Sequence, residues 1–132
     1  MAIVVNKPLP EFEANATGGL KVSNTSHHGQ MVILYFYPKD DTPGCTTQAC
    51  GIRDGWGQLQ DKAQVFGVSI DPIKKHDRFI AKYELPFPLI SDEDKTLVEA
   101  YGVWVQKTLY GREYMGTERT TFVIDAEGRL AA

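Results

Sequence analysis

Apolar and polar positions alternate along the chain with two different rhythms. The run 31–37, Met-Val-Ile-Leu-Tyr-Phe-Tyr, is continuously apolar, as in a strand covered on both faces, and predicts the middle of a sheet. The run 64–70 predicts a second strand. Between them Thr42 and Pro43 read as an N-cap and first helical position, and a polar-apolar pattern continues to about Leu59. Gly51, Gly55 and Gly57 interrupt that pattern, each costing about 1 kcal/mol relative to alanine in a helix interior. The predicted helix therefore opens easily.

Asp71 and Pro72 read as the cap of a further helix to about Tyr83, with Ile73, Phe79 and Ile80 on its inner side. Leu85-Pro-Phe-Pro88 breaks it, Leu89 and Ile90 form a short strand, and a helix over 95–101 ends at Gly102. Strands over 103–105 and 120–124 come next, then a turn over 125–128 and a last strand from Arg129. Near the N-terminus, 12–15 and 20–22, joined through Gly18 and Gly19, read as a β-hairpin. Strands alternating with helices predict an α/β layer structure, with no repeat, linker or low-complexity segment.

Composition narrows the class. A chain of 132 residues with 42% hydrophobic and 23% charged residues fits one globular domain, 1–132, with a core of its own. A net charge of −3 without a basic stripe argues against nucleic-acid and anionic-membrane surfaces. No stretch approaches a membrane span, and the apolar run at the N-terminus is too short for a signal peptide. The expected location is the cytoplasm. In that reducing compartment two nearby cysteines point to catalysis or metal binding rather than to a structural disulfide.

Cys45 and Cys50 are the only two cysteines, and both follow the first predicted strand. With Thr42 as the cap, Cys45 takes the third helical position, where unpaired backbone N–H groups point outward. The helix field there favours a thiolate, and such sites lower a cysteine pKa well below the free value of about 8.5. Pro43 and Gly44 keep bulk away from the thiol, and Thr42 offers a hydroxyl that either donates to a thiolate or bound oxygen or simply caps the helix. The competing reading makes Cys45 a small buried apolar residue. On an intact helix, residues five apart have Cα atoms about 8.6 Å from one another, beyond the roughly 7 Å reach of a disulfide. Cys45 and Cys50 therefore join only if the helix opens, or never meet.

The pattern Pro38-x-x-x-Thr42-x-x-Cys45 resembles the active-site signature of peroxiredoxins. The segment 35–50, Tyr-Phe-Tyr-Pro-Lys-Asp-Asp-Thr-Pro-Gly-Cys-Thr-Thr-Gln-Ala-Cys, is similar to the bacterioferritin comigratory protein subfamily, as are 68–71, 86–92 and 120–125. The resemblance implies a thioredoxin-like fold, a central mixed sheet flanked by helices, and reduction of hydrogen peroxide and organic hydroperoxides. It makes Cys45 the peroxidatic and Cys50 the resolving cysteine, with Pro38, Thr42 and Arg119 completing the site and the backbone N–H groups of Gly44 and Cys45 as further donors. It implies a sulfenic acid, an intramolecular disulfide, re-reduction by thioredoxin, a monomer, and no metal or organic cofactor. Members of the family continue past the turn at 125–128 with a strand and a closing helix, so the 132-residue chain is expected to lack that segment.

Two rival functions use the same fold. A thiol-disulfide oxidoreductase would favour a two-residue cysteine spacing, and a non-catalytic binding module would tolerate loss of Cys45. His27, His28 and His76 lack the spacing of a metal site, and the adjacent pair His27-His28 reads as a solvated loop. Lys74-Lys75 and the acidic run 92–94 read as exposed. Trp56, Trp104, Tyr110 and Tyr114 could rim a binding surface, but core or edge packing is the simpler reading.

Overall fold

The computed structural model describes residues 11–23 and 29–131. Within them a six-stranded mixed sheet runs in the order β2-β1-β5-β4-β3-β8, and β6 and β7 form a separate two-stranded ribbon. The strands are β1 Glu13–Ala16, β2 Lys21–Ser23, β3 Met31–Phe36, β4 Ala63–Ser69, β5 Leu89–Ser91, β6 Trp104–Leu109, β7 Arg112–Thr117 and β8 Thr120–Ile124. The helices are α1 Pro43–Asp54, α2 Trp56–Leu59, α3 Ile73–Tyr83 and α4 Thr96–Ala100. β3 pairs in parallel with β4 and antiparallel with β8, so the long apolar run lies inside the sheet as expected.

Alternation along β3 builds two cores. Val32, Leu34 and Phe36 pack with Phe66, Val68, Ile90, Leu97 and Tyr101 on one face. Ile33, Tyr35 and Tyr37 point to the other, where α1 contributes Cys45 and Ala49 and α3 contributes Phe79. Cys45 and Ala49, four apart, share the helix face turned to the sheet. Tyr35 lies opposite Gly67 in the β3–β4 register. A Cβ at Gly67 would fall 2.8 Å from the Tyr35 ring and 2.7 Å from Leu89, so glycine is what admits the aromatic ring there.

Several predicted elements change. The helix expected to reach Leu59 breaks at Gly55, which ends α1 before α2. The N-terminal hairpin is present with each strand shifted by one residue and a 3-10 turn, Thr17–Gly19, between them. The strand expected at 103–105 is instead the first half of the β6–β7 ribbon, turning at Tyr110 and Gly111, both at positive φ (51° and 75°). The strand expected from Arg129 is reduced to isolated bridge positions at Arg129 and Leu130, Leu130 pairing with Ile124. Asp92, expected to be exposed, is 2% exposed and accepts N–H bonds from Leu97 (3.0 Å) and Val98 (2.8 Å) at the start of α4. Tyr110, expected to pack, is 96% exposed. Among the described residues no helix is long and apolar enough to cross a membrane.

Candidate active site

The segment 37–42 leaves β3 and turns into α1. Tyr37 keeps one bond to the sheet, its N–H donating to the Val68 carbonyl at 3.0 Å, and Pro38 follows half-buried. Asp40 turns inward and is buried: its N–H donates to Asp71 Oδ2 at 2.7 Å, and its carboxylate accepts the Tyr37 hydroxyl at 2.5 Å. Asp41 turns outward at φ 59°, a left-handed conformation that Asp tolerates better than most residues. Lys82 and the Tyr83 hydroxyl both reach its carboxylate at 2.8 Å. The bond from Lys82, then that from Tyr83, holds the Asp41 carboxyl below the usual range.

Thr42 is the N-cap by position, with Pro43 at the first helical position, as the sequence predicts. Its side chain does not cap. The Thr42 hydroxyl donates to the Lys39 carbonyl at 2.9 Å, closing the turn that precedes the helix, so Thr42 makes no side-chain cap for α1. Asp71 likewise makes no cap for α3. Its carboxylate instead accepts from the Asp40 N–H, the Ser69 hydroxyl (2.8 Å) and Lys75 (3.2 Å).

Cys45 is buried in the first turn of α1. Arg119, 74 positions later, donates from Nη2 to Cys45 Sγ at 3.2 Å, and its Nη1 donates to Gln48 Oε1. This approach follows from topology. β8 pairs with β3 so that Thr120 lies opposite Phe36, which carries Arg119 to the strand end where the 37–42 turn begins. Gly44 clears the way, because a Cβ there would stand 3.2 Å from Arg119 Nη2. Negative charge on Sγ is stabilised by a charge-assisted bond from the guanidinium and by the positive end of a 12-residue helix. Tyr35, buried beneath, has its phenol pushed above the usual range by burial first and then by the charges of Asp40 and Cys45.

Cys50 lies farther along the same helix, half-buried, and both thiols are free. With α1 continuous over both, the pair keeps the helical separation of about 8.6 Å. The structure thus joins Cys45, Gly44 and Arg119, turns the Thr42 hydroxyl to Lys39, and holds Cys50 apart. Reading the sequence missed Gln48, one helical turn after Cys45, and also Asp40 and His76. His76 is fully buried against Asp40. His27 and His28 lie outside the described residues. Among those residues no three His, Cys, Asp or Glu side chains group as a metal site.

Comparison with known proteins places these features in context. Residues 5–132 match the model of the AhpC/TSA family. Peroxiredoxin Bcp of Bacillus subtilis is 45% identical over 131 residues, covering 98% of this chain and 83% of that protein. The structure of a cysteine-to-serine variant of PrxQ from Xylella fastidiosa superposes with a TM-score of 0.91 at 34% identity, covering 98% of this chain and 84% of the other. The bacterioferritin comigratory protein of Xanthomonas campestris, a protein with alkyl peroxide reduction activity, superposes with a TM-score of 0.89 at 35% identity over 98% of this chain and 85% of its own.

Proposed function

The chain belongs to the AhpC/TSA family and is a thiol peroxidase of the peroxiredoxin Bcp type, and on that premise we propose that Cys45 is its peroxidatic cysteine and Cys50 its resolving cysteine. The Cys45 thiolate attacks the terminal oxygen of a hydroperoxide. An S–O bond forms as the O–O bond breaks, and the departing oxygen leaves as water or alcohol after taking a proton. Charge builds on that oxygen during the step, and donors aimed at it lower the barrier. Arg119 and the N–H groups of Gly44 and Cys45 supply them. Thr42 joins when its hydroxyl turns from the Lys39 carbonyl to the bound peroxide, and Pro38 shields the site from water.

The resulting sulfenic acid condenses with Cys50 and releases water. This step needs the first turns of α1 to unwind, since the intact helix holds the thiols out of reach. Hydrogen peroxide and alkyl hydroperoxides are the substrates, and a thioredoxin-like dithiol reduces the disulfide by exchange. No metal or organic cofactor takes part, and the chain works as a monomer in the cytoplasm.

The observation that carries the reading is the Arg119 Nη2 contact with Cys45 Sγ at 3.2 Å in the first turn of a helix. Stopped-flow mixing of the reduced chain with hydrogen peroxide tests it. Stoichiometric oxidation should be fast in the unaltered chain and absent in Cys45→Ser. Cys50→Ser should keep the first oxidation and lose thioredoxin-coupled turnover. Full steady-state turnover in Cys50→Ser would remove Cys50 from the cycle.

A further inference from the structure

His76 sits in the middle of α3, a helix whose other buried residue is Phe79. Its ring is enclosed, with no exposed side-chain surface on it or on its partner Asp40. Nδ1 lies 2.5 Å from Asp40 Oδ2, and Nε2 lies 2.9 Å from the Ile90 carbonyl. A carbonyl oxygen only accepts, so Nε2 carries a hydrogen. The Nδ1 contact with Asp40 shares one proton and is made whichever of the two groups holds it. Both ring nitrogens are thus used, one on β5 and one on the turn that leads into α1.

Packing alone would be served by apolar residues at these two places, since buried polar groups cost free energy unless fully partnered. What the polar pair adds is direction. Residue 40 is held at its side chain by His76 and Tyr37 and at its backbone by Asp71. Residue 41 is held by Lys82 and Tyr83. Apart from Tyr37, every one of these partners lies on α3 or on the β4–α3 turn. The turn at 38–42 is therefore tied to α3 and the sheet, and α1 begins from a fixed base.

We infer that His76 is a positioning residue for peroxide cleavage: through Asp40 it fixes the 38–42 turn, and so sets the first turn of α1, with Cys45, against an Arg119 that arrives from β8. The inference rests on Cys45 being the attacking residue. Cleavage of an O–O bond needs sulfur and donors held together in one arrangement, and small displacements are costly. Alkylation, in which the sulfur displaces iodide from iodoacetamide, needs the sulfur nucleophile but no donors placed against a departing oxygen. The two reactions therefore separate positioning from nucleophile supply.

The test compares the full reduced chain with His76→Gln and Asp40→Asn at one pH. It measures the second-order rate of Cys45 oxidation by hydrogen peroxide and the rate of Cys45 alkylation by iodoacetamide, with near-UV circular dichroism to establish the fold. The expected result is a loss of tenfold or more in the peroxide rate with less than threefold change in alkylation. Equal falls in both rates, or no change in either, would overturn the inference. Failure of both variants to fold would also overturn it, by making the pair a folding determinant. Failure of the unaltered chain to react with peroxide would instead sink the assignment of Cys45, so the two failures are distinguishable.

Discussion

Gly44 lies beside the contact between a cation and a sulfur atom, and its missing methyl group leaves the guanidinium room. A Cβ at this position would press on Arg119 Nη2 at 3.2 Å, the same nitrogen that reaches Cys45 Sγ. Alanine is the better helix former by about 1 kcal/mol, so Gly44→Ala should leave the urea midpoint unchanged or slightly raised. Its peroxide rate should nevertheless fall about tenfold, equivalent to about 1.4 kcal/mol of lost transition-state stabilisation. Urea unfolding and stopped-flow oxidation of the same variant check both halves. Arg119 shows why such a contact is hard to read from sequence. The resemblance names it, but on the bare chain it is one charge before a strand, and only the β3–β8 pairing brings it across 74 positions to the thiol.

Among the elements, α1 has two conflicting duties in the proposed cycle: folded, it holds Cys45 beside Arg119, and Cys50 approaches only when it unfolds. Gly51 sits inside it with open space around an added Cβ. Gly51→Ala should therefore stabilise the helical form by about 0.5–1 kcal/mol. The first oxidation should be unchanged, while disulfide formation slows about two- to fivefold. Rapid-quench thiol counting after a single peroxide addition resolves the two steps. The start of α1 was legible because Thr42, Pro43 and the apolar strand before them agree. The β6–β7 ribbon was not, because Gln106, Lys107, Thr108, Arg112 and Glu113 leave no alternating apolar stripe, and the ribbon buries little that a pattern could report. The Tyr110-Gly111 turn was the one local sign of it.

For the molecule as a whole, polar groups inside the cores make stability depend on pH. Asp92 is the clearest case. Burial pushes its carboxyl up to about 6, against the smaller opposing effect of the Leu97 and Val98 N–H bonds. The folded state then holds the proton more tightly than the unfolded chain. The resulting stabilisation is full below about pH 4 and is lost as pH rises through about 6, on the order of 2 kcal/mol in total. Urea unfolding at pH 4.5 and 7.5 checks the sign: the stability advantage of the unaltered chain over Asp92→Asn should shrink at the higher pH. Neither Asp92 nor His76 was legible as buried, because a charge within a polar run looks solvated until the layers closing over it are known. The central place of β3 was legible, because one strand serving two cores leaves no polar position along it.

One consequence follows from both cysteines sharing a single unbroken helix. In the proposed cycle each oxidised Cys45 waits for α1 to come apart before it is sealed by Cys50. During that wait a second peroxide competes for the same sulfur and drives it to a sulfinic acid that the disulfide route no longer rescues. The lifetime of one helical turn thus acts as a timer, setting the peroxide dose at which the enzyme inactivates itself.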